Sequence, residues 1–510
     1  MHVPDQVNND PAVSIAIVGA ALRFPGATDP ASFHELAVAG RQMFRELGRQ
    51  AYGAPNPSAP NPSAPNPGGT RPGGPRGGSA GRRPVLAALL DEEDRGLGRD
   101  DELTGGVTAR HILAAETAVA ALADVPPAGR ALARKRVGVF FADVPEPGTA
   151  DVAGWVRRHL KAGAASGPAS AAAGRHPAPG PGSRPARASL PELVLGAIDA
   201  ASAGYGGVPG HRSGVSGTTR TTAALTAGGS SGAEPCSLRA VTAACEALAT
   251  GEFDLVLAGG VARGTGGWAR PRGSAGRAAS PVRVYDAKPS GPLPGEGCGV
   301  VVLMRAADAR AADVPGYAEI AGWHCAGPAT NPRAVLAEAY RRAGIDPADI
   351  QLVEGHGAAN ATDDQAELDA LLDVLGARSA RPADRCVLGS VAANIGDTRS
   401  AAGIAALLKT AFAMTADVMP PVTGCVQPNG LLRGGQAVFR LLSGPEAWPQ
   451  TPVQLAAVNT LGVAPYPGAP RSGPVHVILR RERDPAYRPG RRRKAAPLAG
   501  AAGSWPASPG

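Results

Sequence analysis

The sequence predicts an α/β protein, and two features of its patterning carry that expectation. Short apolar runs rich in β-branched residues recur along the chain, and segments with helical periodicity, each about ten residues long, lie between them. The first run is VSIAIVG, Val13 to Gly19, a strand ended by glycine. LAAETAVAAL, Leu113 to Leu122, has the spacing of a helix. VGVFF, Val137 to Phe141, is a second strand, Leu238 to Leu248 a helix, and DLVLAGG, Asp254 to Gly260, a third strand. GVVVLM, Gly299 to Met304, is a fourth, and Glu367 to Leu375 reads as another helix. Strands that are apolar throughout belong to a sheet buried on both faces, so helices must cover both sides. Parallel β-α-β units are expected, in two halves that meet near residue 280.

Composition narrows the function classes. The chain has 510 residues and a formal charge of +8, with 44% apolar residues, 69 glycines and 50 prolines. That much glycine and proline implies segments without regular structure. They are visible as APNPSAPNPSAPNP at 54–67, running on to residue 86, and as a second stretch at 163–188. The expected organisation is a disordered N-terminus at 1–12, one half at 13–280 with insertions at 54–86 and 163–188, a second half at 281–481, and a basic disordered tail at 482–510. Arg491, Arg492, Arg493 and Lys494 make that tail a solvated end or a docking strip for an acidic partner. No aromatic residues alternate with these cations and no helix-turn-helix or zinc-finger pattern occurs, so nucleic acid is not an expected partner. No apolar run approaches 18 residues and the N-terminus has no apolar signal core, which points to a cytoplasmic protein without a membrane span. The six cysteines have no CxxC spacing and are expected as reduced thiols.

Several stretches resemble one family. VSIAIVGAALRFPGATDPASFHELAVAG is similar to the opening of the β-ketoacyl synthase (ketosynthase) domains of modular polyketide synthases. ACEALATGEFDLVLAGGV, Ala244 to Val261, resembles the segment after that family's nucleophile. VYDAKPSGPLPGEGCGVVVLMR, Val284 to Arg305, resembles the start of its second half. VEGHGAANATDDQAEL and GSVAANIGDTRSAAGIAALLK resemble its two histidine motifs, and VHVILRR its closing strand. The resemblance implies a thiolase-like fold, in which two βαβαβ halves form a five-layered α-β-α-β-α arrangement. It also implies a dimer, with itself or with an active ketosynthase, an acyl chain delivered on the phosphopantetheine of an acyl carrier protein, and no cofactor.

The same resemblance locates a candidate site. The family's nucleophilic cysteine lies eleven positions before the residue matched by Cys245 and four before the one matched by Leu238, and both counts reach Glu234. Cys236 would serve only with two residues removed inside the first helical turn, which would rotate the helix by about 200°. Cys236 and Cys245 are therefore expected as buried small hydrophobes. His356 matches the first histidine. Asp397 replaces the second, Ala392 stands where the family has lysine, and Asn394 is retained as a substrate-binding residue. Gly357, Ala358, Ala359 and Asn360 replace the loop after the first histidine, while Asp364 and Glu367 match.

A carboxylate cannot replace a thiolate as acyl acceptor, so condensation is expected to be lost with Glu234, His356 and Asp397 as the site. The residues alone leave several readings open: satisfied polar groups in a dead cleft, a chain-length-factor-like partner or carrier-binding subunit, or acid-base processing of a carrier-bound acyl chain by decarboxylation, dehydration, cyclisation or hydrolysis. Relatives with glutamine at the cysteine position decarboxylate malonyl groups but keep the second histidine, so Asp397 weighs against that transfer. One histidine and two carboxylates also suit a divalent metal by ligand type, but the resemblance supplies none and no metal is expected. GEGCG at 295–299 precedes a strand, which excludes a dinucleotide loop. His34, His111, His159, His176, His211 and His324 lack ligand spacing, and His476 matches a position near the site without an assigned role.

Overall fold

In the computed structural model the described residues are 13–47, 85–90, 109–132, 136–142, 194, 236–263, 282–376, 385–434, 437–462 and 472–483. The expected N-terminal segment 1–12, the bulk of the insertion 54–86, the insertion 163–188, the basic run at 491–494 and Glu234 lie outside them.

In chain order, the described elements begin with β1 (Ile15–Arg23), α1 (Pro30–Val38), an antiparallel pair of β2 (Arg45–Leu47) and β3 (Val85–Ala87), α2 (Ala109–Asp124), α3 (Pro127–Leu132), β4 (Val137–Ala142), α4 (Ser237–Ala249), β5 (Leu255–Ala262) and β6 (Gly297–Arg305). There follow α5 (Ala306–Ala311), β7 (Glu319–Cys325), α6 (Pro332–Ala343), β8 (Leu352–Glu354), α7 (Ala361–Leu375), β9 (Cys386–Gly389), α8 (Ala392–Ile395) and α9 (Ala402–Ala416). The short strands β10 (Val418–Met419), β11 (Phe439–Arg440) and β12 (Glu446–Ala447) precede β13 (Val453–Thr460) and β14 (Val475–Glu482).

Strand order in the main sheet shows an internal duplication. One side runs β4-β5-β6-β1 and the other β8-β13-β14-β7, with β9 and β11 added outside β8. On each side the first strand pairs antiparallel with the last, the last antiparallel with the one before it, and that one parallel with the next. The sheet is thus mixed, where the periodicity suggested parallel units. Strands β13 and β14 are joined by a loop with no crossover helix among its described residues, and such a connection produces antiparallel neighbours. A two-residue antiparallel seam, Ile15 with Ile320 and Ala16 with Glu319, joins the two sides.

Both seam strands carry the same irregularity. In β1 the pairing with β6 skips Val18 just before Gly19, and in β7 the pairing with β14 skips Ala321 just before Gly322. An extra residue shifts the two-residue alternation by one. Accordingly Ile15 and Ile17 face the same apolar cluster as Ala20 and Leu22, while Ala16, Val18 and Ala21 face the opposite one. A helix packs against each glycine: a Cβ on Gly19 would lie 2.6 Å from the Ala121 carbonyl oxygen, and one on Gly322 would lie 2.8 Å from that of Ala339.

Three apolar clusters give the layering. α2 covers the outer face of β1, β5 and β6, while α6 and α7 cover the outer face of the second side. α4 and α9 pack on each other between the two sheet sides. The sequence of α9, AGIAALLKTAFAMTA, is apolar around its circumference apart from Lys409 and two threonines, Thr410 and Thr415, whose hydroxyls bond back to the helix carbonyls of Ala406 and Ala411, as a helix in a central layer requires. Lys409 is admitted there by an ion pair with Glu354 at 3.0 Å.

Candidate functional site

The opening of α4 builds one wall of the site. Cys236 is extended (φ −120°, ψ 125°) and occupies the N-cap, and its carbonyl accepts hydrogen bonds from the Arg239 and Ala240 N–H groups. The helix begins at Ser237, so Cys236 immediately precedes its first turn. Ser237 Oγ accepts from the Ile404 N–H at 2.8 Å and ties α4 to α9. Cys236 Sγ stands 3.9 Å from Thr460 Oγ1 at the end of β13. Burial pushes the Cys236 thiol up, and the Leu238 and Arg239 N–H groups and the Thr460 hydroxyl offset part of that shift. Cys245, one helical stretch later, is fully enclosed in the central cluster, as its reading as a small hydrophobe requires.

The second wall is the loop between β8 and α7, which carries His356. It is fastened by Glu367, whose carboxylate is buried and accepts four hydrogen bonds. The His356 N–H (2.7 Å) and Asn459 Nδ2 (2.7 Å) bind Oε1, and the Gly357 N–H (3.0 Å) and Tyr285 hydroxyl (3.0 Å) bind Oε2. The His356 carbonyl accepts from Ser390 Oγ at 3.0 Å. Gly357 has a φ of +56°, and a Cβ there would lie 2.4 Å from Ser390 Oγ, so only glycine fits. Asn360 caps α7 by accepting from the Asp363 N–H at 2.8 Å. Asp364 accepts from the Tyr285 N–H at 2.9 Å, and burial, reinforced by the Glu367 charge, pushes its carboxyl up to about 7.

The third wall follows β9. After the short helix α8, the Asp397 backbone is pinned between the Leu293 carbonyl and the Gly295 N–H, and its Oδ1 accepts from the Arg399 N–H at 2.8 Å. Asn394 does not join this wall. It is buried, and its Nδ2 donates to the Arg41 carbonyl at 2.9 Å while its backbone carbonyl accepts from the Met43 N–H, so it fixes the segment after α1.

The walls enclose a cavity of about 90 Å³. Its polar lining includes Cys236, His356, Asp397, Arg399, Asn459 and Thr460, and its apolar lining includes Val282, Leu293, Val391, Ala402 and Ala406. The structure thus brings together His356 and Asp397, leaves Asn394 outside the lining, and adds Cys236, Asn459 and Thr460, which the sequence reading did not assign. For the last two, the available signal was a polar pair ending an otherwise apolar strand, LAAVNT. Chemically the cavity offers an imidazole for proton transfer, a carboxylate able to accept hydrogen bonds, and a thiol. Among the described residues no three histidine, cysteine or acidic side chains cluster as metal ligands, and no helix is long and apolar enough to cross a membrane.

The β-ketoacyl synthase N-terminal domain family matches residues 204–309, and the β-ketoacyl synthase C-terminal domain family matches residues 317–425. The highly reducing polyketide synthase sorA of Penicillium rubens is 31% identical over 253 residues, 47% of this chain and 9% of that protein. The polyketide synthase GfsA of Streptomyces halstedii is 33% identical over 265 residues, 49% of this chain and 3% of that protein. The chain therefore spans only a small part of the length of these relatives. Among solved structures, the ketosynthase from module 6 of the bacillaene synthase of Bacillus subtilis 168 superposes with a TM-score of 0.63 at 19% identity, covering 92% of this chain and 72% of that one. The ketosynthase from module 1 of the bacillaene synthase of Bacillus amyloliquefaciens superposes with a TM-score of 0.62 at 18% identity, covering 92% and 72%.

Proposed function

The chain is a β-ketoacyl synthase-like protein with a thiolase-like fold, and from that premise we propose that it is a non-condensing homologue of polyketide biosynthesis that holds a carrier-delivered acyl chain in this cavity. The observation that carries the reading is Asp397 on the cavity wall with His356. Condensation develops negative charge on an enolate oxygen, and that charge is stabilised by donors. Asp397 offers no N–H to that charge, and it sets a second acid beside the free carboxylate of a malonyl unit. In this reading the chain works beside an active ketosynthase, as chain-length-factor subunits do, and contributes surface to a dimer. The Arg491 to Lys494 run adds long-range attraction to an acidic carrier protein.

The test supplies acyl- and malonyl-carrier protein and measures binding and product separately. Binding of the acyl carrier without a carbon–carbon product is the expected result, with a dimer or a co-purifying ketosynthase by light scattering and pull-down. Condensation by the unaltered chain would overturn the reading, and so would a monomer that binds no acyl carrier.

The place of Cys236 on the cavity wall favours a second reading, in which the pocket still processes the acyl chain, with His356 and Asp397 as acid and base and Cys236 as an acyl acceptor. Intact mass after incubation with an acyl thioester separates the two. An unchanged mass supports the non-condensing partner, and an adduct mapped to Cys236 supports the enzyme.

A further inference from the structure

Tyr285 has three unusual properties together. It is a bulky residue in the left-handed region (φ 54°), it is completely buried, and its two ends bind two carboxylates on successive turns of one helix. Its N–H donates to Asp364 Oδ2 at 2.9 Å and its hydroxyl to Glu367 Oε2 at 3.0 Å. Its carbonyl accepts from the Asn429 N–H at 2.8 Å. A tyrosine at positive φ is a true outlier that persists only where its surroundings over-determine it, and such strain collects at functional sites.

The surroundings also explain why the hydroxyl is there. Glu367 is 1% exposed and forms no ion pair among the described residues. Its charge is met by four neutral donors, two on each oxygen: the N–H groups of His356 and Gly357, the Asn459 amide and the Tyr285 hydroxyl. A buried carboxylate without a cation survives only when such donors saturate it. Two of the four are backbone N–H groups of the loop that carries His356, so a shift of the carboxylate pulls on the backbone from which the imidazole projects. The fit is close as well, since a Cβ on Gly355 would lie 2.1 Å from the Tyr285 hydroxyl oxygen.

We infer that Tyr285 is the positioning residue of the cavity: its strained, three-point anchorage supplies one of the four donors that hold the buried Glu367 carboxylate in place, and that carboxylate in turn fixes the backbone of the loop that carries His356. This deepens the functional reading above and rests on it only in taking His356 as a working group. Burial and the adjacent carboxylates push the Tyr285 phenol well above its ordinary value, so the hydroxyl remains a donor.

The test compares Tyr285→Phe, Glu367→Gln and the double variant in the full chain. Two readouts are used: urea unfolding, and the ring C–H signal of His356 in a proton–carbon spectrum, assigned against His356→Gln. Tyr285→Phe keeps the ring and removes one hydrogen bond to a charged acceptor, so the unfolding equilibrium should shift by about ten- to a hundred-fold, and the His356 signal should move. On the Glu367→Gln background the same change should cost less than about threefold, since the charge it serves is gone. Glu367→Gln alone should also move the His356 signal with the tyrosine ring untouched. An unmoved His356 signal in both single variants, or equal costs of Tyr285→Phe in the two backgrounds, would overturn the inference. Binding of the acyl carrier protein measured in parallel keeps failure here distinct from failure of the functional reading, because the His356 signal is recorded without any ligand.

Discussion

Lys409 Nζ lies 3.0 Å from Glu354 Oε1, and the two side chains are 1% and 0% exposed. The pair joins the central helix α9 to the strand that ends at Glu354, two residues before His356. Burial pushes the Glu354 carboxyl above its ordinary value, and the Lys409 charge offsets only part of that rise. Removing one partner of such a pair leaves an uncompensated buried charge. Lys409→Met should therefore lower stability by about 3–5 kcal/mol, whereas Lys409→Met with Glu354→Leu should recover most of that loss. Urea unfolding of the three chains checks this, and a single variant as stable as the double would refute it.

Asp364 gives the pH dependence a sign. Its carboxyl titrates at about 7 in the folded chain against 3.8 for an ordinary aspartate, because of burial first and the Glu367 charge second. Between those values the folded state holds the proton that the unfolded chain has released, so stability falls as pH rises. The contribution is fully present below about pH 4 and lost as pH passes about 7, and it amounts to at most on the order of 4 kcal/mol. Thermal melts from pH 4 to 8 should show the native chain losing ground to Asp364→Asn over that window. A difference between the two that stays constant with pH would refute it.

The duplicated glycines make a steric prediction. A Cβ on Gly322 would lie 2.5 Å from Ala343 Cβ and 2.8 Å from the Ala339 oxygen, both on a packed helix that cannot yield cheaply. Gly251 has a φ of +74° with nothing within 4 Å of the same added Cβ. Gly322→Ala should cost about 3 kcal/mol or more through overpacking, and Gly251→Ala about 1 kcal/mol through backbone strain alone. The reverse order in urea unfolding would show that the helix against β7 moves more freely than its contacts imply.

Much of the fold was legible because the strands are buried on both faces. VGVFF, DLVLAGG and GVVVLM all became strands of the main sheet, and their apolar character follows from helices on each side. The bulges at Val18 and Ala321 were not legible, since one skipped residue in an apolar run changes no letter of the pattern. β8 and β9 escaped notice because three or four residues carry no usable period. Of the residues singled out by motif order, His356 and Asp397 line the cavity. Asn394 was read as a binding residue because its motif was intact, yet it lies outside the cavity lining and its Nδ2 donates to the Arg41 carbonyl, a contact 353 residues away along the chain that no local pattern encodes. The N-cap at Cys236 was missed for a related reason: residue counts fix a register, and the start of a helix can move along it.

That N-cap supports a last prediction. Cys236 is partly exposed to the cavity, but burial pushes its thiol above the ordinary value of 9.0, so little thiolate forms at neutral pH. Alkylation by iodoacetamide at pH 7 should be slower at Cys236 than at a free cysteine and should accelerate as pH rises beyond the usual thiol range. Cys245 is fully enclosed and its thiol is pushed well above that range, so it should react only after unfolding. Because Cys236 shares its cavity with His356 and Asp397, an acyl phosphopantetheine bound there should shield it, and labelling should fall as the thioester is added. Peptide mapping by mass spectrometry distinguishes the two cysteines. Fast labelling at pH 7, or labelling that ignores the thioester, would mean that this thiol does not line the space in which the acyl chain is held.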